Sequence, residues 1–354
     1  MIAIHHLPGS FSDHWEKYCA KNGVPFIAAN LFGHDIVQNL ERRGILGVLF
    51  NLTDHTAPRT RLAAKAICQA LELGGIRVFP NHATYWHCDD KIAQHYLLES
   101  LKVPRCQTYV YYEKDEALRW VAQAQFPMVF KLRCGAGSSN VRLARTRRDA
   151  EKLVARMFGH GIQATPRLLG DLSIKVNKHR SKRDWLGCIL RIPSTLASEM
   201  AAKASVPPER GYVYFQEFLS QNAFDTRVTV IGERAFAFRR FVRPNDFRAS
   251  GSGRLDLDPD TIDLRCVTLA FETARRVGAQ CLALDFVHDE HKSPVVLEMC
   301  YTFVADVVFK CPGHWDTDLH FHCGHKWPQD AIIEDFLAKL NIGLPSRHRE
   351  MISA

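Results

Sequence analysis

Long apolar runs are missing from this sequence of 354 residues. No stretch reaches the roughly 18 apolar residues that a membrane-spanning helix needs, and the opening MIAIHHLPGS has neither a basic leader nor an apolar signal core. A cytoplasmic protein without a membrane span is therefore expected. Regular cysteine spacing is missing too: 11 cysteines, an odd number, scatter from Cys19 to Cys323, which argues against a disulfide framework and for reduced thiols. The sequence lacks the phosphate loop GxxxxGK followed by Ser or Thr, and GxGxxG is incomplete, with a strand pattern where that dinucleotide fingerprint needs a helix. A dominating charge is absent as well. The formal +8 suits an acidic ligand such as a nucleotide or phosphorylated sugar, but no nucleic-acid recognition motif accompanies it, so no nucleic-acid partner is expected.

What is present is an ordinary globular composition, 46% hydrophobic, with a length that favours two or three folding units. Residues 2 to 79 alternate apolar runs with amphipathic ones: IAIHHL, a helix over Asp13 to Lys21, PFIAAN, GILGVLF, a helix over Pro58 to Leu73, and IRVF. Strands alternating with helices imply parallel βαβ units, and Leu62, Ala66, Ala70 and Leu73 are expected to dock on the sheet. The loops His5 to Ser10 and Asn51 to His55 either line a cleft or serve as caps and turns. A helix over Asp89 to Leu101 follows, with Asp89 as cap, Pro104 as stop and Lys91 in the first turn, where a cation sits poorly against the helix dipole.

From Gln107 to Val154 the pattern is strand, helix, strand, loop, strand, helix. In the loop RCGAGSSN, Gly135 and Gly137 let backbone N–H groups approach an anion, beside Ser138 and Ser139, while Lys131 supplies a charge one strand away. An ordinary hairpin turn would read the same way. Next, VYFQEFLSQNAFDTRVTVIGERAFAFRRFVRPNDFR, residues 213 to 248, places acids and arginines at fixed offsets on two or three antiparallel strands with Gly232 at a turn. A helix over Thr261 to Val277 presents Leu264, Val267, Phe271 and Ala274 to one side. CLALDFV and PVVLEMC then form a hairpin in which period-two alternation turns Asp285 and Glu298 to the same face. Two carboxylates projecting together need a cation between them, either Mg²⁺ with nucleotide phosphates or protein arginines.

The order Gln-Glu-aromatic-Leu, Asp-x-Arg, paired arginines and Asp-Phe-Arg, with Asp90-Lys91, Lys131 before the Gly/Ser loop, and Asp285 with Glu298, resembles the ATP-grasp superfamily, nearest its RimK-like and glutathione-synthetase-like carboxylate-amine ligases. The resemblance covers roughly residues 80 to 310. It implies an α/β protein with α+β lobes: a Rossmann-like lobe at 1–102, a flap lobe at 103–215 with an insertion near 158–210, an antiparallel-sheet lobe at 216–342, and a tail at 343–354. It further implies ATP with Mg²⁺, or Mn²⁺ in its place. ATP would lie on Lys91, Lys131, Gly135, Gly137, Ser138 and Ser139, with Glu217, Phe218 and Leu219 at the adenine and Asp225 at the ribose. Asp285 and Glu298 would hold metal, and Arg227, Arg240 and Arg248 would neutralise the transferred phosphoryl group or a substrate carboxylate.

The implied reaction is ADP-forming ligation of a small-molecule carboxylate to an amine through an acylphosphate, the acid being an amino acid or a sugar acid, sugar-linked in some pathways. A kinase-like phosphotransferase and a non-catalytic nucleotide-binding protein are the alternatives. The second is motivated by Cys300, which stands where the family's Glu-x-Asn has its amide ligand; a neutral thiol is a poor Mg²⁺ ligand. A homodimer is left open. The insertion's basic run, Lys175 to Arg183, and its helix over Ser194 to Lys203 are either a solvated face or a lid for an anionic substrate. In the tail, Cys311, His314, His320, His322, Cys323 and His325 lack paired metal-ligand spacing, so aromatic packing with a closing helix over Gln329 to Leu340 is expected instead of zinc.

Overall fold

A computed structural model describes residues 1–51, 58–135, 140–164, 207–243 and 246–341. The first sheet holds β1 (Ile2–His5), β2 (Phe26–Ala29), β3 (Gly47–Leu49) and β4 (Arg77–Phe79) in the parallel order β2-β1-β3-β4. Helices α1 (Phe11–Asn22), α2 (Ile36–Arg42) and α3 (Pro58–Leu73) make the crossovers, as alternating apolar and amphipathic segments require. The docking face expected for α3 is corrected. Ala64, Cys68 and Leu71 are buried at 1% or less, whereas Leu62 and Leu73 are exposed. Ala66 and Ala70, the rest of the expected stripe, are exposed as well, so a different face of the helix, with spacings of four and three, meets the sheet.

After the short α4 (His82–Tyr85), α5 (Lys91–Ser100) leads into the second lobe. Its cap is Asp90, whose side chain accepts from the Ala93 N–H, and not Asp89, which adopts a left-handed φ of 56°. The second sheet is antiparallel in the order β5-β8-β6-β7: β5 (Thr108–Tyr111), β6 (Met128–Lys131), β7 (Val141–Ala144) and β8 (Val213–Glu217). Helices α6 (Lys114–Gln123) and α7 (Arg147–Met157) cover one side of it with Ala117, Val121, Ala150 and Val154 fully buried. The proposed insertion leaves and returns at one place, since Ile162 and Glu209 exchange both backbone hydrogen bonds. Its basic run and its expected helix lie outside the described residues.

The third sheet runs β13-β12-β9-β10-β14-β15, with β11 (Leu255–Asp256) on β10. Its central strands are β9 (Phe224–Ile231), β10 (Arg234–Phe241), β12 (Cys281–His288) and β13 (Pro294–Cys300). Helix α8 (Leu264–Val277) packs on one face against Val228, Val230, Leu282, Leu284 and Phe286. It buries Cys266, Val267, Ala270 and Ala274, leaving Leu264 exposed, a partial correction of its expected face. On the opposite face Ile231, Phe236, Phe238, Cys281 and Tyr301 share a single core with the parallel sheet. The last strands and helices are α9 (Ala305–Phe309), β14 (Gly313–Trp315), β15 (Phe321–Cys323) and α10 (Pro328–Lys339).

The tail packs as aromatic structure: Trp327 stacks on Phe309 at 4.1 Å, and α10 closes against α1, where Trp15 donates to the Gln329 carbonyl at 3.1 Å. Among the described residues no three of the tail's six His and Cys ligand atoms converge. No helix among them is long and apolar enough to cross a membrane.

Candidate active site

The face that is apolar where it meets the parallel sheet becomes charged farther along the same strands. Strand register puts Glu298, Asp285 and Arg227 directly opposite one another across β13, β12 and β9, and pairs Asp225 with Arg240 across β9 and β10. Neighbouring strands lie only about 5 Å apart, so these side chains must interact. Arg227 holds Asp285 through two bonds, Nε to Oδ1 at 2.6 Å and a terminal nitrogen to Oδ2 at 2.8 Å. Arg240, 7% exposed, holds Asp225 in the same way and reaches Asp285 Oδ2 at 2.7 Å. The result is two acids and two arginines in a neutral buried chain.

Burial alone would raise the Asp285 carboxyl, but Arg227 and Arg240 overcome it and hold the group well below the usual carboxylate range. Asp225, for which burial and the charge of Asp285 outweigh Arg240, is pushed up. Both Asp225 oxygens are thus engaged by Arg240 inside the sheet.

The second half of the site comes from the start of α5 and the end of β6. Lys91 and Lys131 are buried at 4% and 5% exposure, so Lys91 is no solvated surface residue. Lys91 Nζ lies 3.3 Å from Glu298 Oε1 and donates to the Gly135 carbonyl at 2.7 Å. Against burial, Glu298 and Asp89 raise the Lys91 ammonium. Lys131 goes the other way: burial pushes it down, Glu298 opposes, and Lys91 adds to the fall. The Glu298 carboxyl, its side chain 37% exposed at the cleft, is lowered because Lys91 and Lys131 outweigh burial. Two lysines on one carboxylate leave a local excess of positive charge, which is what a polyphosphate would neutralise.

The loop base is fastened to the start of α5 by three consecutive residues. Gly135 N–H donates to Asp89 Oδ1 at 2.7 Å, Arg133 Nε to Asp90 Oδ2 at 2.9 Å, and the Lys91 N–H to the Arg133 carbonyl at 3.0 Å. Gly135 has φ 117°, and a Cβ there would lie 2.3 Å from Asn140 Nδ2, so glycine is required. Gly137, Ser138 and Ser139 lie outside the described residues.

Glu217 is exposed, with its N–H on the Gln107 carbonyl at 2.9 Å. Phe218 meets Phe247 edge-on at 5.4 Å, and Leu219 packs on the cluster of Cys106, Val287 and Val295. Glu217 and Phe218 line an open cleft of about 610 Å³ with Tyr109, Trp120 and Phe126; none of the charged cluster lines it. Arg248 is bound to Asp246.

Several residues at the site carry no sequence signal of their own. Thr108, Tyr214 and Gln216 line a water-sized cavity behind Lys91 and Glu298, recognisable only once β5 and β8 are paired. Cys88, silent in the sequence, lies 3.6 Å from Cys300, sulfur to sulfur. The Cys88 contact draws the Cys300 thiol down to about 7 against burial, helped by the Thr302 hydroxyl at 2.9 Å and N–H at 3.4 Å.

The donor set fits a hard cation. Glu298 offers carboxylate oxygen at the cleft, and Asp285, register-paired to it, keeps an acceptor position beyond its three arginine bonds.

No family model matches the sequence, and no curated protein matches it. Solved structures do. A RimK-domain ATP-grasp protein from Sphaerobacter thermophilus superposes with a TM-score of 0.53 at 15% identity, over 95% of this chain and 98% of that one. The ATP-grasp ligase PsnB, complexed with a minimal precursor, Mg and ADP, gives 0.52 at 13% identity over 96% and 98%. Biotin carboxylase from Campylobacter jejuni, in a β,γ-ATP complex, gives 0.52 at 14% identity over 91% of this chain; the present chain spans 62% of its length.

Proposed function

Starting from the ATP-grasp fold of this chain, we propose that it is an ATP-dependent, ADP-forming carboxylate-amine ligase working through an acylphosphate. The observation that carries this reading is the convergence of Lys91 at the start of α5 and Lys131 at the end of β6 on Glu298, which is register-paired to Asp285, a charge arrangement suited to a metal-bound triphosphate. ATP lies between the two antiparallel sheets, its phosphates on Lys91, Lys131 and the loop that starts at Gly135. Glu217, Phe218 and Leu219 border the adenine.

Glu298 and Asp285 would hold Mg²⁺, which would supply neutralisation of the phosphate charge. Arg227 and Arg240 keep Asp285 ionised and fixed in direction, so its role toward the cation survives burial. A substrate carboxylate oxygen attacks the γ-phosphorus; the new O–P bond forms as the bond to the β-phosphate bridge breaks, and ADP leaves. An amine nitrogen then attacks the acyl carbon, the C–O bond to phosphate breaks, and the nitrogen loses a proton. Lys131, with its ammonium pushed down by burial, is poised to follow the charge that shifts to the leaving phosphate. The acid is an amino acid or a sugar acid.

The test is the amine dependence of ADP release in a pooled panel of amino acids, uronic acids and amines. Release that needs both an acid and an amine supports ligation. Release with an acceptor alone, giving a stable phosphorylated product, points to a phosphotransferase, and nucleotide binding without release to a non-catalytic protein.

A further inference from the structure

We propose that Cys88 and Cys300 are a modification site, forming a reversible intramolecular disulfide that ties the turn before α5 to the end of β13. The two sulfurs are 3.6 Å apart although the residues are separated by 212 positions, and both residues are half-buried. Among the other described cysteines, those at positions 19, 68, 106, 266, 281 and 311 are buried, Cys134 is half-buried, and Cys323, though exposed, lies in β15 at the far edge of the sheet. Closing from contact to a bond of about 2.05 Å asks for a shift of roughly 1.5 Å, within reach of side-chain rotation with a small backbone adjustment. Thr302 fixes the Cys300 sulfur from one side, through both its hydroxyl and its N–H, which leaves the side toward Cys88 open.

The consequence follows from what Cys88 precedes. Asp89, Asp90 and Lys91 fasten the loop base, while Cys300 ends the strand that carries Glu298. A bond between the two sulfurs fixes this turn against β13, and with it the separation between Lys91 and Glu298. In balance, two cysteine thiols and one low-molecular-weight disulfide give one protein disulfide and two small thiols. The cysteines lose two electrons and two protons, and the small disulfide gains both.

The bond itself is independent of the ligase reading; only its effect on turnover rests on that reading. Reduced full-length protein is exposed to oxidised glutathione, alkylated, digested without reductant and mapped by mass spectrometry. The expected product is one peptide pair joining Cys88 to Cys300, lost on dithiothreitol and absent in Cys88→Ser, where Cys300 keeps a glutathione adduct; Cys281→Ser leaves the pair unchanged. Recovery of both residues as free thiols or as separate adducts in the wild type overturns the proposal. ADP formation should fall at least about tenfold on oxidation and recover on reduction; a cross-linked protein with full turnover overturns the restraint. A reduced protein with no turnover at all refutes the ligase reading, while the peptide map still decides the bond.

Discussion

Asp285 and Glu298 look alike in the sequence and differ in the folded chain. Glu298 is partly exposed, with its charge answered by lysines from α5 and β6, whereas Asp285 is 6% exposed and tied to two arginines. Substituting one should therefore do something different from substituting the other. Glu298→Gln should lower ADP formation by about a hundredfold or more while costing less stability than Asp285→Asn, because Lys91 keeps the charge of Asp89 and the Gly135 carbonyl. Asp285→Asn should also stop turnover but lower the unfolding free energy by about 3 kcal/mol, because Arg227 and Arg240 are left with one carboxylate between them. Equal stability of the two variants would contradict the buried ion-pair chain. Strand parity made the shared face of the two acids legible. The arginine partners were not, because Arg227 lies 58 positions from Asp285 and only inter-strand register joins them. Lys91 was misleading in its own context, since a lysine at a helix start reads as solvated until a carboxylate from a distant strand arrives.

At the scale of elements, caps and loop bases carry the testable consequences. The base of the glycine loop depends on Gly135, so Gly135→Ala should weaken ATP binding about tenfold by calorimetric titration and lower stability by about 1–3 kcal/mol through the left-handed backbone it must keep. The α8 cap gives a pH test. The hydrogen bond from Arg265, with burial opposing and His288 adding, holds the Asp263 carboxyl at about 2, below its ordinary 3.8. A depressed acid stabilises the fold above its unfolded value and loses that contribution as pH falls through the folded one. Wild type should therefore lose stability between about pH 4 and pH 2 more steeply than Asp263→Asn, by denaturant unfolding at both pH values; equal slopes would remove the cap's electrostatic role. Most elements were readable because apolar spacing of two or about 3.6 separates strand from helix. The docking face of α3 was not, because apolar residues lie on more than one side of it: Ala64, Cys68 and Leu71 are buried, while Leu62, Ala66, Ala70 and Leu73 are exposed.

The whole molecule is joined more tightly than a division into three lobes suggests. Residues of the parallel sheet, of β9, β10 and β12, and of α10 form one core, in which Phe336 sits where any side chain at Gly47 would collide with it. Phe336→Ala should cost about 3–4 kcal/mol. The parallel lobe and the third sheet should then unfold in one calorimetric transition, and two resolved transitions would show that the shared core is not cooperative. Alternation of strand and helix revealed the first lobe's topology, and the ordered set of acids and basic residues revealed the fold as a whole. The shared core was hidden, because it joins residues from opposite ends of the chain. The central claim, that a carboxylate is activated by phosphorylation between these lobes, is tested most directly by phosphorus NMR of the protein with ATP, Mg²⁺, a pooled panel of amino and uronic acids, and hydroxylamine. Equal amounts of ADP and phosphate with a trapped hydroxamate are the expected result, and a persistent new phosphorus resonance with no hydroxamate would contradict it.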